Sequence, residues 1–325
     1  MLDIKKISVG IRNSQLSIVQ TNQFVERFIS FHSQFSKKDI VISHIKTSGD
    51  IYKDHRLDQL GGKGLFIREI EEHIIQEKID LGVHSMKDMP HTLLADYEIA
   101  CWMPRYDVRD VLVTRDNIDH TITSLPAGSI IGTSSIRRRS QILNQRKDLT
   151  IKSIRGNIDT RLKKMRNGEY DAIILAHAGL LRLNATKEIS EIFDKKLFVP
   201  SACQGAVGIE ILSKNSQLKD LLRPMNDLHT ELCCKAEREV LNMIDANCNS
   251  PIGVLAEIEN EKINIYVQLF DHDGKSIFCS SINGNKDEYH KIAKMIGSEL
   301  IDQVGIKKIK QLDKLQDDFN YSPKE

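Results

Sequence analysis

The chain predicts an α/β fold with two parallel-sheet units followed by a small α+β module. Three observations predict it: apolar runs of strand type alternate with runs of helical type, that alternation occurs twice, and the pattern changes after about residue 228. At 325 residues the chain also exceeds one typical core, so two or three domains are expected.

Ile7, Val9 and Ile11 alternate as a strand does, and a polar turn then leads into Leu16, Val19, Phe24 and Phe28 at helical spacing. Residues 40–45 form a second expected strand, 65–77 an amphipathic helix and 81–84 a third strand. The second series has strands at 111–114 and 130–131, a helix at 136–146, a strand at 151–154, a helix at 158–167 and a buried strand at 172–176. Strands alternating with helices argue for parallel sheets. The run 206–211 is expected to return to the first sheet, which makes the first domain discontinuous. Beyond 228 come one helix, three strands at 253–258, 262–270 and 276–282, and a helix around 287–303. The predicted division is 1–104 with 201–225, then 105–200, then 226–310, with a charged flexible tail at 311–325.

Composition narrows the function classes. Hydrophobic residues make up 40% and charged residues 28%, as in a soluble globular protein. Apolar runs such as 172–176 are far shorter than the ~20 residues of a membrane span. Met1-Leu2-Asp3-Ile4-Lys5-Lys6 does not have the form of a signal peptide, so a cytoplasmic location is expected. With 46 basic against 45 acidic residues, net charge is +1, which argues against bulk attraction to nucleic acid or anionic membrane. The cysteines at 101, 203, 233, 234, 248 and 279 form no CxxC pair and have no histidine at ligand spacing, so neither a metal site nor a disulfide scaffold is expected.

Chemistry concentrates at strand-to-helix turns. In Gly132-Thr133-Ser134-Ser135-Ile136-Arg137-Arg138, hydroxyls and free amides at a helix start favour an anion, and two guanidinium forks suit carboxylates. Serine capping with solvated arginines is the plain alternative. Arg155-Gly156-Asn157 and Thr160-Arg161 repeat the theme, Arg182 follows the strand at 172–176, and Arg12 and Ser14 occupy the turn after the first strand. Cations from successive turns converge on one side of a doubly wound sheet, where ligands bind. They point to a ligand with several carboxylates or phosphates.

Val83-His84-Ser85-Met86-Lys87-Asp88-Met89-Pro90 sets Asp88 just after a strand, either as a turn cap or, among cations, as an acid/base or charge-stabilising group. Leu60-Gly61-Gly62-Lys63-Gly64-Leu65-Phe66 lacks a phosphate-loop or dinucleotide fingerprint and suits a mobile flap carrying Lys63. Cys248 stands in the turn-rich Asp245-Ala246-Asn247-Cys248-Asn249-Ser250-Pro251-Ile252-Gly253, where both a reachable thiol and an inert buried one remain open.

Together these segments resemble the hydroxymethylbilane synthase (porphobilinogen deaminase) family, from about Ile7 to near residue 303. Val83-His84-Ser85-Met86-Lys87-Asp88, Gly132-Thr133-Ser134-Ser135, Ile154-Arg155-Gly156-Asn157, Gln204-Gly205-Ala206-Val207-Gly208-Ile209-Glu210 and Cys248-x-x-Pro251-Ile252-Gly253 match in family order and spacing. The resemblance implies two periplasmic-binding-protein-like doubly wound lobes plus a small α+β C-terminal domain that carries the cofactor cysteine. It implies a dipyrromethane cofactor joined to Cys248 by a thioether. Four porphobilinogen units are then added head to tail, each losing ammonia, and water releases linear hydroxymethylbilane. By the same match Asp88 is the catalytic aspartate. Lys87, Ser135, Arg137, Arg138, Arg155, Gln204 and Gly205 join Cys248 as cofactor contacts, and Arg12, Ser14, Lys63, Ser85, Thr133, Arg161 and Arg182 contact substrate. No metal, nucleic-acid or membrane partner is implied, and a monomer with transient hand-over to the next pathway enzyme is expected. The chain departs from the family pattern at Ile11 (usually threonine), Gln59 (often lysine), Ala246-Asn247 (a glycine pair) and Cys203 (glycine). A non-catalytic anion-binding module and an RNA-binding protein are the rival readings. The matched cysteine loop opposes the first, and near-zero charge without an aromatic stacking motif opposes the second.

Overall fold

The computed structural model describes residues 4–47, 67–115, 120–246 and 250–313. The chain forms two compact units, Met1–Tyr106 with Gly205–Leu232, and Asp107–Gln204 with Cys233–Glu325.

In the first unit, β1 (Ile7–Arg12) pairs in parallel with β2 (Ile40–Ile45) on one side and β3 (Leu81–Ser85) on the other. β10 (Val207–Leu212) runs antiparallel between β3 and β4 (Tyr97–Trp102), giving the order β2-β1-β3-β10-β4. Helices cover both faces, so the strands are apolar nearly throughout. Phe24 and Phe28 of α1 (Gln15–Phe31) pack with Ile7, Val9, Leu81, Val83 and Ile209. On the opposite face Ile70 and Ile74 of α2 (Arg68–Ile75) pack with Ile45, Tyr97 and Leu212. α2 ends where Glu77 takes a left-handed φ of 55°. There the Glu77 and Lys78 amides donate back to the Ile74 and His73 carbonyls. Residues 65 and 66 of the expected helix lie outside the described residues.

The second unit repeats this plan. Parallel β6 (Ile130–Gly132), β7 (Thr150–Lys152) and β8 (Ala172–Ala176) are joined by antiparallel β5 (Asp110–Thr114) and by β9 (Glu191–Ile192), in the order β7-β6-β8-β5-β9. α3 (Ile136–Gln145) contributes Ile142 to one face, and α4 (Ile158–Arg166) contributes Leu162 and Met165 to the other. Numbered within its own unit, each sheet has its second, first and third parallel strands, then an antiparallel strand, then an edge strand. The topology makes both lobes doubly wound α/β units.

Two expectations change. The sheets are mixed rather than parallel, because β5 and β10 enter from the neighbouring chain segment and not through a crossover helix. The strand expected at 151–154 ends at Lys152, since Ile154 turns into the core (1% exposed) and the Ser153 carbonyl accepts the Tyr170 hydroxyl at 2.7 Å.

The C-terminal module follows α5 (His177–Arg182), α6 (Ser216–Leu222) and α7 (Leu228–Met243). Its sheet is an antiparallel meander of β11 (Ile252–Glu259), β12 (Lys262–Phe270) and β13 (Ser276–Asn285). α8 (Tyr289–Val304) packs against it through an apolar stripe that includes Ile292, Ile296 and Leu300. The chain then continues into α9 (Ile306–Leu312), which buries Ile309 and Leu312; residues 314–325 lie outside the described residues.

Candidate functional site

In the first unit the expected residues gather at the C-terminal ends of β1 and β3. Arg12 is the last residue of β1, and Ser14 caps α1 by accepting the Ser17 amide at 3.2 Å. Ser85 ends β3, where its hydroxyl accepts from the buried Gln20 amide at 2.9 Å. The chain then makes a 3-10 turn, Met86–Asp88, which leaves Lys87 and Asp88 exposed and buries Met86. The Met86 amide donates to the Ala206 carbonyl at 3.1 Å, which sets this turn beside Gly205 and Ala206. Gly208 lies against this turn, where a Cβ would force the buried Met86 side chain to move. Gly205 itself has φ 85°, a backbone region that suits glycine.

In the second unit β6, β7 and β8 point the same way, so the turns that follow them share one end of the sheet. Thr133 is fully buried, with its amide on the Lys152 carbonyl and its hydroxyl accepting the Ser135 amide at 3.2 Å. Ser135 caps α3 by accepting the Arg138 amide. Arg155 follows β7 and is half-buried, while the Arg161 Nε donates to the Gly156 carbonyl at 2.8 Å. Arg182 ends α5 and is buried.

Arg137 and Arg138 were expected at an anion site; both are buried against Asp110, a residue the sequence reading did not single out. Arg138 donates through Nη2 and Nε to Asp110 Oδ1 at 2.6 and 3.2 Å, and through Nη1 to the Ile174 carbonyl. Arg137 Nη2 lies 2.8 Å from Asp110 Oδ2, and its Nη1 donates to Gln141 and the Val199 carbonyl. Gln204 adds its amide to Asp110 Oδ1 at 2.8 Å and to the Val108 carbonyl. Burial alone would raise the Asp110 carboxyl, but the two guanidinium groups outweigh it and hold it well below the usual carboxylate range. The available signal was an aspartate opening an otherwise apolar strand, followed by two adjacent arginines in need of a buried counter-charge. Nearby, Asp107 is gripped by Arg109 and lies 3.1 Å from His177 Nδ1. Burial pushes the Asp107 carboxyl up, and Arg109 more than offsets it.

Cys248 and Lys63 lie outside the described residues, as do Gln59 and Asn247. The flanks of the cysteine loop are described. Lys310 Nζ bonds the Asp245 carboxylate and carbonyl, and the Ser250 hydroxyl donates to Asp313. Cys203, Cys234 and Glu237 are buried with potential ligand atoms within 4.8 Å of one another. The Glu237 oxygens already accept the Cys203 and Ala256 amides.

A second charge cluster joins α2, β3 and β10. His84 Nε2 lies 3.0 Å from Glu210 Oε2, and burial together with Glu210 raises the Glu71 carboxyl to about 7. A carboxyl raised on folding favours the protonated form, so its contribution to stability is full at low pH and is lost as pH rises from about 4.5 through about 7. Glu71→Gln should therefore melt above the parent by a margin that grows across that window and then levels off. Thermal melts from pH 4.5 to 8 test this, and a margin independent of pH would rule it out.

Two family models match the chain. One, described as "Porphobilinogen deaminase, dipyromethane cofactor binding domain", covers residues 7–220, and the other, "Porphobilinogen deaminase, C-terminal domain", covers residues 231–302. A porphobilinogen deaminase of Geobacillus sp. (strain WCH70) is 42% identical over 287 residues, 88% of this chain and 91% of that protein. One from Francisella tularensis subsp. holarctica (strain OSU18) is 38% identical over 298 residues, 92% of this chain and 97% of the relative. Among solved structures, the Escherichia coli periplasmic aliphatic sulphonate binding protein SsuA aligns at 13% identity with a TM-score of 0.40, over 73% of this chain and 70% of that one.

Proposed function

The chain belongs to the porphobilinogen deaminase family, and from that membership we infer which of its residues carry the reaction. It is a transferase that condenses porphobilinogen head to tail with loss of ammonia and releases linear hydroxymethylbilane by hydrolysis, a step of tetrapyrrole synthesis. The observation that carries this reading is the pair of family matches, which together take in residues 7–220 and 231–302.

The family's dipyrromethane cofactor fits the residues present. Each of its rings bears an acetate and a propionate. Arg137, Arg138 and Asp110 bring two cations and one anion into the protein interior, an excess of positive charge that a ligand carboxylate would complete. Arg137, Arg138, Arg155, Lys87, Ser135, Gln204 and Gly205 would hold it, with Cys248 as the covalent attachment. When bound, it supplies the terminal pyrrole on which the product chain grows.

Substrate carboxylates fall to Arg12, Arg161 and Arg182, with Ser14, Ser85, Thr133 and Lys63 as neutral or cationic contacts. Guanidinium forks bind such groups bidentately, which orients a pyrrole as well as attracting it. Asp88 presents an exposed carboxylate on a short turn braced by the Met86–Ala206 hydrogen bond. Loss of ammonia from porphobilinogen leaves an electron-poor carbon conjugated to the pyrrole nitrogen. A fixed carboxylate beside that nitrogen stabilises the cation and can take its proton.

We assign three domains, 1–104 with 201–225, 105–200, and 226–310, and place the enzyme in the cytoplasm as a monomer that passes its product transiently to the next pathway enzyme. Among the described residues no helix is long and apolar enough to cross a membrane.

Ammonia release from porphobilinogen, paired with intact mass under denaturing conditions, tests the assignment by stage. Arg137→Gln and Arg138→Gln should lose the covalent cofactor. Arg12→Gln and Arg161→Gln should retain some of it yet elongate slowly. Arg138→Lys should not restore activity fully, because a point charge cannot reproduce the fork. Wild-type turnover in Arg138→Lys would contradict the arginine roles.

A further inference from the structure

We propose that Asp110 is a positioning residue that assembles the cofactor-carboxylate subsite, holding Arg137, Arg138 and Gln204 in one arrangement whose remaining positive charge a single carboxylate would neutralise. The inference rests on the reading of those three residues as cofactor contacts. Neighbouring residues on a helix project about 100° apart and do not face one another. Arg137 and Arg138 nevertheless reach one carboxylate, because Asp110 opens β5 next to the start of α3 and offers a separate oxygen to each. Gln204, 94 residues away in sequence, closes the same group through Asp110 Oδ1.

Donor counting shows what is left over. A guanidinium has five N–H donors. Arg138 spends three on Asp110 and the Ile174 carbonyl. Arg137 spends two on Gln141 and Val199 and forms an ion pair with Asp110 Oδ2, and its buried Nε has no hydrogen-bond partner among the described residues. Among the described residues, at least two donors on each arginine remain. Charge gives the same answer: Asp110 is 0% exposed and the arginines 4% and 6%, so one uncompensated positive charge sits in the protein interior. A buried charge is tolerated when it is paired and hydrogen-bonded, which a carboxylate of the cofactor would accomplish. Asp110 therefore neutralises one cation and orients both forks, and contacts neither substrate nor reacting atoms.

The test is the covalent dipyrrole content of the full-length protein by denaturing intact mass, with circular dichroism and thermal melting as the fold check. Asp110→Asn should purify folded with at least ~10-fold less adduct-bearing protein, the scale set by removing a group that orients a binding side chain. Asp110→Glu keeps the charge and should recover part of that loss, a rescue that a purely steric role would not give. Full adduct in Asp110→Asn, or no recovery in Asp110→Glu, would overturn the proposal. If Asp110→Asn does not fold, Asp110→Glu carries the test alone: it should fold and hold less adduct than wild type, because the longer side chain displaces both guanidinium groups. Adduct at the wild-type level in Asp110→Glu would equally overturn the positioning role. The underlying reading fails differently: wild type without adduct removes the cofactor assignment, and Arg138→Gln with full adduct removes the arginine assignment.

Discussion

Cys248→Ala is expected to purify without a covalent dipyrrole and to release no ammonia from porphobilinogen. The substitution removes only the sulfur through which a thioether forms, and no other side chain of the matched loop offers a comparable nucleophile. The loop should survive it. Its flanks are anchored by Lys310 on Asp245 and by Ser250 on Asp313, and Ala246 and Ser250 are 1% and 5% exposed. A melting temperature near wild type would then separate lost chemistry from lost fold. The remaining cysteines should each be replaceable without loss of the adduct. Cys101, Cys203, Cys233 and Cys234 are buried, and burial pushes the Cys101 thiol up to about 12, where little nucleophilic thiolate exists. Cys279 is exposed on β13. Denaturing mass spectrometry decides the matter: an unmodified wild-type mass in active protein would end the assignment.

Asp88→Asn should fold, bind porphobilinogen and turn over at least ~100-fold more slowly, the scale seen when one electrostatic stabiliser is removed. Asparagine retains size and hydrogen-bonding capacity and loses only the negative charge. Asp88→Glu keeps the charge but moves it by a methylene, so it should retain more activity than Asn. The competing account makes Asp88 a turn residue ahead of Pro90, in which case Asn would be nearly neutral in both rate and stability. The Met86–Asp88 turn closes through the Met89 amide on the Met86 carbonyl, with Asp88 exposed at its end. Measuring ammonia release beside thermal melting distinguishes the two. Near-wild-type turnover in Asp88→Asn would remove this carboxylate from the mechanism and leave Cys248 untouched.

Much of the scaffold was legible because helix and strand periods are local. β2 and β8 fall at the expected 40–45 and 172–176, and the three C-terminal strands fall within a few residues of expectation. β4 was missed: five of its six residues are apolar, but Glu98 interrupts the run and only Tyr97, Cys101 and Trp102 are buried. The helices His177–Arg182 and Ser216–Leu222 were missed as well, each too short to complete two turns of a recognisable pattern. Turn residues at strand ends were legible too, since Ser135 and Arg155 each stand three residues beyond the ends of β6 and β7, whereas Arg182 ends the helix that follows β8.

The amino-acid sequence by itself determined the fold class, the order of elements and the residue types offered at each strand end, all of which depend on spacing along the chain. Only the tertiary structure decided what those side chains do to one another. The antiparallel entry of β5 and β10, the clasp of Asp110 on Arg138 across 28 residues and on Gln204 across 94, and the burial that lifts Glu71 beside Glu210 are all contacts between distant segments. A charged residue has the same local signature whether it ends in water or in a core. Its protonation, its free donors and its partner are settled only when the closed chain removes the water around it.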